Sequence, residues 1–219
     1  CWKFSQEGEN CRENQEFGEE VEQISFSFLE YLPSLREVLA QDVEAILKGD
    51  PAAVSRREIV LAYPGLIAVS VYRIANFLHK QKVPLIPRIM TEYIHSRTGI
   101  DIHPGAEIDK GLMIDHGTGV VIGETAVIGN DTRIYQGVTL GALSPARSMA
   151  DPELKRHPTI EDNVIIYSGA TILGNVTIGS GSIIGGNVWL VHDVPPGSRV
   201  YLEDAPEKQE IRSGVGTRN

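Results

Sequence analysis

A six-residue period in the second half of the chain restricts its fold more than any other feature. An aliphatic residue opens each unit, at Ile102, Ile108, Ile114, Ile122, Ile128, Ile134 and Leu140, and then at Ile160, Ile166, Ile172, Ile178, Ile184 and Leu190. Four residues after most of these comes a small or branched residue, such as Ala106, Ala126 or Val164. The turn signals at 8–12-residue spacing that mark an antiparallel sandwich are lacking. Self-similarity at a fixed short period indicates a repeat architecture.

This repeat resembles the hexapeptide repeat of the left-handed parallel β-helix. In that fold three hexads form one triangular coil of about eighteen residues, and each coil pairs with the next at the ~4.8 Å strand spacing. The opening aliphatic residue points into the prism, and the small fifth residue lets the chain turn the corner. The left hand comes from the resemblance, because crossover connections otherwise favour the right hand.

The first hundred residues have a helical period instead. Between residues 21 and 46 the apolar positions advance by steps of three and four. We expect Pro33 to divide this helix, Ser34 and Glu37 to form a capping box, and Gly49 to end it in the left-handed conformation. A short turn or helix follows at Asp50-Pro51, and further helical patterns cover 66–82 and 87–98.

The predicted fold class is therefore α+β, an N-terminal α-helical domain followed by a left-handed parallel β-helix of hexapeptide repeats. We assign an acidic flexible arm to residues 1–20, the helical domain to 21–99, the β-helix to 100–200 and a tail to 201–219. Residues 142–158 are expected to leave the prism as a loop.

Composition excludes several classes of protein. The net charge of −9 argues against a nucleic-acid binder, which needs basic surface for phosphates. The two cysteines, Cys1 and Cys11, cannot form a disulfide framework in the body of the chain, which predicts a reducing, cytoplasmic location. The longest apolar stretch, 61–72, is too short to span a membrane.

Two units break the period, and such breaks are where function concentrates. The unit that opens at Ile114 has eight residues (IDHGTGVV), and the unit that opens at Leu140 runs twenty residues to Ile160. The first break contains Asp115-His116, and the second ends in KRHP at residues 155–158.

These segments carry a family resemblance. The stretch GIDIHPGAEIDKGLMIDHGTGVVIGETAVIGNDTRIYQGVTLGA, followed by KRHPTIEDNVIIYSGATILGNVTIG, is similar to the serine O-acetyltransferases. The helical GDPAA and YPGLIAVSVYRIANFLH also resemble that family, so the resemblance covers about residues 34–200. Three departures are the long loop after Leu140, the segment VPPGSRVYLEDAP, and Asn219 where members that dock into cysteine synthase end in isoleucine.

The resemblance implies an enzyme that transfers acetyl from acetyl-CoA to the hydroxyl of L-serine, the first step of cysteine biosynthesis. His116 is then the general base and Asp101 orients it. The implied roles of the other residues are binding of the serine carboxylate by Arg156 and His157, of its ammonium by Asp115 and Asp50, and of acetyl-CoA by backbone near Ala142, Ser168 and Gly186. No permanent cofactor or metal is implied. The implied assembly is a homotrimer or a pair of trimers, with no nucleic-acid or membrane partner.

Simpler readings of the same residues stay open. Asp50 is a good cap before Pro51, Asp101 suits the start of the first coil, and Arg156-His157 suit solvated loop charge. Two other functions also stay open. One is a hexapeptide acyltransferase that acts on a sugar or an amine, and the other is a zinc hydratase that uses His103, His116 and His157.

Overall fold

The computed structural model describes residues 15–144 and 154–202. Within these ranges the chain begins with four α-helices, α1 (Gln15–Gly49), α2 (Arg56–Ala62), α3 (Pro64–Lys80) and α4 (Ile86–Thr98). Helix α1 begins inside the segment that we assigned to the acidic arm, and residues 1–14 of that arm lie outside the described residues. None of the described helices is by itself long and apolar enough to cross a membrane, and α2 with α3, bent by 72°, passes only as a pair.

Helix α1 runs through Pro33 without a break, so the predicted division and capping box are wrong. The Ser34 hydroxyl donates to the Tyr31 carbonyl at 2.8 Å instead of capping a new helix. The fixed φ of proline is compatible with a helix, and packing along a long helix offsets the lost hydrogen bond and the clash of the ring with the preceding turn. Gly49 is also not left-handed, because it is the last residue of α1 and has no positive φ. Instead it makes room, since a Cβ there would collide with the Met113 sulfur.

Short parallel strands follow the helices. They are β1 (Asp101–Ile102), β2 (Glu107–Ile108), β3 (Met113–Ile114), β4 (Val121–Ile122), β5 (Val127–Ile128), β6 (Arg133–Ile134), β7 (Thr139–Gly141), β8 (Thr159–Ile160), β9 (Ile165–Ile166), β10 (Thr171–Leu173), β11 (Thr177–Ile178), β12 (Ile183–Ile184), β13 (Trp189–Leu190) and β14 (Arg199–Val200). We call the three sheets A (β1-β4-β7-β10-β13), B (β2-β5-β8-β11) and C (β3-β6-β9-β12-β14). Up to β13 every third strand along the chain returns to the same sheet, and an isolated bridge between Ile178 and Val194 takes the place of a further sheet B strand before β14. This order confirms the predicted left-handed parallel β-helix.

The opening aliphatic residues form the interior of the prism. Ile102, Ile122 and Leu140 are in register on sheet A, and Ile172 continues the column. Most residues of these columns are completely buried. Each such side chain contributes about 1.5–3 kcal/mol relative to an exposed one. The residue before each opening aliphatic points away from this interior, as the alternation of side chains along a strand requires.

The helices are fixed onto the first coil by buried polar contacts. The Arg73 guanidinium of α3 donates to both carboxylate oxygens of Asp42 on α1, at 2.8 and 2.9 Å. The same guanidinium donates to the carbonyls of Ile108 and Asp109, and the Asp42 carboxylate accepts from the Leu112 N–H at 2.9 Å. Helices α1 and α3 and the start of the β-helix are therefore joined by one network of buried polar contacts.

Candidate active site

The first break adds two residues, His116 and Gly117, at the corner between sheets C and A. Asp115 donates its N–H to the Ile134 carbonyl, and one coil further on the Gly137 N–H bonds to the Thr118 carbonyl. Three residues therefore lie between Asp115 and Gly119. At the same place in the next coil, only Gln136 lies between Tyr135 and Gly137. His116 and Gly117 both have positive φ, +57° and +77°. The corner therefore bulges outward, and the His116 side chain is 68% exposed.

Acidic groups surround His116 at this corner, which we call the C/A corner (Asp50, Tyr63, Asp115 and His116). His116 Nδ1 lies 3.5 Å from the Asp115 carboxylate, whose side chain is mostly buried. The Tyr63 hydroxyl donates to Asp50 Oδ2 at 2.6 Å. This hydrogen bond lowers the pKa of Asp50, and the charge on His116 lowers it further. The same bond raises the pKa of Tyr63 to about 12.

The local structure explains how Tyr63 and Asp50 reach this corner. Tyr63 directly precedes α3, and α3 approaches the backbone of β3 so closely that a Cβ on Gly65 would collide with the Ile114 carbonyl. Asp50 follows α1, and its Oδ1 accepts from the Ala52 N–H at 2.8 Å. One oxygen of Asp50 therefore caps a turn, as the simpler reading proposed, while the other faces Tyr63.

Asp101 lies on the outer face of sheet A, in register with Val121. Neither a hydrogen bond nor an ion pair joins it to His116 among the described residues. The charge of Asp101 acts on His103, two residues along the chain, and raises its pKa against the larger lowering effect of burial. The pairing of Asp101 with His116 therefore stays a prediction.

The second break ends at a different corner, between sheets A and B. We call it the A/B corner (Gly123, Glu124, Thr125, Arg156 and His157). The Thr125 hydroxyl accepts from the N–H groups of Arg156 and His157, at 2.9 and 3.1 Å. Lys155 donates its ammonium to the Thr125 carbonyl, and the Arg156 guanidinium pairs with the Glu124 carboxylate. The chain that returns from the loop is thus attached to the coil below.

His157 is only 8% exposed and packs on Gly123. A Cβ at Gly123 would overlap the imidazole, so glycine is needed for the ring to fit. Burial, and secondarily the charge of Arg156, lower the pKa of His157 to about 4. His157 is consequently a neutral imidazole at physiological pH.

Within one chain the two corners are separated by the width of sheet A. His116 precedes β4, whereas His157 contacts the turn that follows β4. The residues expected at acetyl-CoA are divided in the same way. Ser168 and Gly186 are neighbours at the C/A corner, and Ala142 follows β7 at the A/B corner.

The zinc arrangement considered from the sequence has little support in this geometry. His103 and His157 are close to the A/B corner, but His116 belongs to the other corner. Over residues 15–144 and 154–202 no three His, Cys, Asp or Glu side chains are placed to hold a metal ion.

Sequence reasoning did not find Tyr63, Glu124 or Thr125. Glu124 and Thr125 occupy hexad positions that are ordinary turn residues, and their partners lie about thirty residues further on, across the loop. Tyr63 before a proline looks like a helix boundary. The sequence did carry one indication of these contacts. When the loop is left out of the residue count, the GET segment lies one coil before the RHP segment, at the same corner.

A three-sided prism of hexapeptide coils, with His116 and His157 at its two irregular units, is typical of the hexapeptide-repeat transferases. A family model described as "Bacterial transferase hexapeptide (six repeats)" matches residues 157–192. A serine acetyltransferase of Bacillus subtilis is 45% identical over 163 residues, which are 74% of this chain and 72% of that protein. A plasmid-encoded serine acetyltransferase of Synechococcus elongatus is 52% identical over 179 residues, 80% of this chain but 56% of the relative.

Solved structures of serine acetyltransferases also resemble this chain. Serine acetyltransferase isoform 3 of Entamoeba histolytica, in complex with cysteine, superposes with a TM-score of 0.80 at 43% identity, covering 90% of this chain and 68% of that one. The Neisseria gonorrhoeae serine acetyltransferase in complex with serine gives 0.75 at 36% identity, covering 83% and 72%. The chain belongs to the serine acetyltransferase family, which is a family of acyltransferases.

Proposed function

We propose that this chain transfers the acetyl group of acetyl-CoA to the hydroxyl of L-serine, giving O-acetyl-L-serine and CoA. The observation that carries the proposal is the division of charge between the two corners. One corner offers carboxylates beside an exposed histidine, and the other offers a guanidinium beside a neutral imidazole. A zwitterion that carries a hydroxyl requires this set of groups.

The C/A corner receives the ammonium and the hydroxyl of serine. Asp115 and Asp50 are the anions for the ammonium, and the Tyr63 hydroxyl keeps Asp50 ionised and oriented. His116, exposed beside Asp115, takes the hydroxyl proton as serine attacks the thioester carbonyl. The tetrahedral intermediate then expels the CoA thiolate, and His116 returns the proton to sulfur. Asp101 steadies the histidine in this scheme.

The A/B corner receives the serine carboxylate. The Arg156 guanidinium offers a planar pair of donors that matches a carboxylate, and His157 adds a neutral donor. In the described chain the Glu124 carboxylate already binds part of the Arg156 guanidinium. The serine carboxylate therefore shares the guanidinium with Glu124 or displaces Glu124 from it.

The two corners complete one site only when two chains meet. If the sheets A of three chains face a common axis, the C/A corner of each chain meets the A/B corner of its neighbour. The outer face of sheet A supports this arrangement, because Val121 and Trp189 are exposed there, Trp189 by 64%. Cyclic closure then gives three equal sites in a homotrimer, with acetyl-CoA between Ser168 and Gly186 of one chain and Ala142 of the next.

Acceptor specificity tests the function. We expect CoA thiol release from acetyl-CoA with L-serine and little release with D-serine, homoserine, a hexose or a hexosamine. Efficient use of the sugar or the amine in place of L-serine would favour the alternative acyltransferase. Since several related structures are complexes with cysteine, L-cysteine should compete with serine in the same assay. A cysteine synthase partner and a cytoplasmic location stay predictions, and Asn219 lies outside the described residues.

A further inference from the structure

Thr125 makes several hydrogen bonds to the residues that end the second break. Its hydroxyl accepts two backbone N–H groups, from Arg156 and His157. Its own N–H donates to His157 Nδ1 at 3.1 Å, and its hydroxyl oxygen lies 2.9 Å from the same nitrogen. Two groups of one residue therefore converge on a single ring nitrogen.

These contacts determine which nitrogen of His157 carries the proton. A backbone N–H can only donate, so Nδ1 must present its lone pair. The Thr125 hydroxyl already accepts two hydrogen bonds, so its hydrogen is directed to the same lone pair. The proton of the neutral imidazole therefore resides on Nε2.

The Nε2–H group is left for a ligand. Among the described residues no acceptor bonds to it, and Nε2 is not one of the fully buried atoms that lack a partner. The charged and titratable groups that act on the ring are Arg156, Glu124, Lys155 and His103. Protonation of Nδ1 would break both of its contacts with Thr125. These contacts therefore keep the proton of the neutral ring on Nε2, which stays a hydrogen-bond donor.

We propose that Thr125 is a positioning residue that fixes His157 as the Nε2–H tautomer and aims this single donor at the carboxylate of serine. The role assigned to the donor rests on the proposed function, whereas the tautomer does not. His157 would then bind substrate without exchanging a proton, and His116 would be the group that accepts and returns the serine proton during turnover.

Histidine-selective ¹⁵N NMR of the full chain tests the tautomer directly. The His157 signals are assigned by their loss in His157→Gln. We expect an unprotonated Nδ1, a protonated Nε2, and no titration of this ring from pH 8 down to about pH 5.5, because its pKa is about 4. A protonated Nδ1, or titration near pH 6.5, would overturn the proposal whether or not the protein acetylates serine.

Threonine variants test the positioning role. Thr125→Ser keeps the hydroxyl and should leave the His157 spectrum and the serine KM nearly unchanged. Thr125→Val keeps the N–H but loses the hydroxyl, so His157 should titrate at a higher pH and kcat/KM for serine should fall about tenfold or more. A Val variant with the wild-type His157 titration and kinetics would show that Thr125 does not position the ring.

A matched pair at His157 tests the donor. Glutamine can place an N–H near the Nε2 position, whereas asparagine reaches only the Nδ1 position. We expect His157→Gln to keep at least about tenfold more kcat/KM for serine than His157→Asn. Equal losses would refute the donor role. If wild type itself does not acetylate serine, the proposed function fails while the NMR result still decides the tautomer.

Discussion

At the residue scale, His116 shows how an irregular coil produces a reactive side chain. Only a few per cent of non-glycine residues have positive φ, and histidine, asparagine and aspartate are enriched among them. Gly117 follows with φ of +77°, which glycine adopts without strain. The two residues project the imidazole out of a prism whose inward side chains are packed in columns, so the ring is accessible to substrate.

Replacement of His116 should remove the general base. We expect His116→Asn to lower kcat at least about 100-fold with little change in the serine KM, because general-base catalysis contributes typically ~10²–10⁴. Asparagine tolerates the left-handed conformation, so the corner should persist. The control is His95→Asn on the exposed side of α4, which should keep wild-type kinetics. A His116→Asn protein that retains most of its turnover would exclude the catalytic role.

Arg156 should control the affinity for serine. A lysine keeps the charge but loses the planar fork, so we expect Arg156→Lys to raise the serine KM about tenfold or more while kcat changes little. The acetyl-CoA KM, measured in the same assay, is the internal control. If it rises instead and the serine KM does not, Arg156 binds the phosphates of the co-substrate and the assignment is wrong.

At the element scale, the helices are held on the prism by buried polar contacts whose loss would lower the free energy of unfolding strongly. Asp42 is fully buried and Arg73 nearly so, and every oxygen of Asp42 has a partner. The Tyr72 hydroxyl adds a buried hydrogen bond to the Ala106 carbonyl at 2.6 Å. Because α3 also carries Tyr63 to the C/A corner, this docking affects the site as well as stability.

Loss of the Asp42 charge should destabilise the fold strongly. Asp42→Asn leaves Arg73 buried without a counter-charge, which costs about 3–5 kcal/mol. The matched control is Glu92→Gln, which removes the exposed pair with Arg88 on α4 and should cost no more than ~0.5 kcal/mol. Urea unfolding at one fixed protein concentration measures both. Equal, small losses would mean that the buried pair does not hold α1 and α3 together.

At the scale of the whole molecule, the proposed active site needs more than one chain, because His116 and His157 flank opposite edges of the same sheet. Sedimentation equilibrium should therefore give about three times the 24.0 kDa chain mass, or six times if two trimers join.

Complementation between two variants that are each impaired at one corner tests whether the site is shared. Chains with His116→Asn and chains with Arg156→Ala are mixed in equal amounts, unfolded and refolded together. In a cyclic trimer a site is intact when its C/A corner comes from one variant and its A/B corner from the other, so about a quarter of wild-type activity should return. Each variant refolded alone is the control. A mixture no more active than its parents would place the whole site within one chain.

Much of this molecule is encoded locally. The six-residue period predicts the strands, the buried columns and the position of both breaks, because inward and outward positions alternate along a strand over a few residues. The DH and RHP segments were found for the same reason, since each interrupts a regular count. The helix ends were predicted less accurately, because packing along α1 outweighed the local effect of Pro33.

Only the tertiary structure determined how the site is divided. Which corner receives His116 or His157 depends on the count of whole coils and on the loop between β7 and β8. The partners Thr125–His157, Asp50–Tyr63 and Asp42–Arg73 are 13 to 32 residues apart. Such contacts form only when helices and coils have packed, and no local pattern specifies them. The sequence alone thus determined the prism and its two irregular corners, whereas packing determined which side chains meet at each of them.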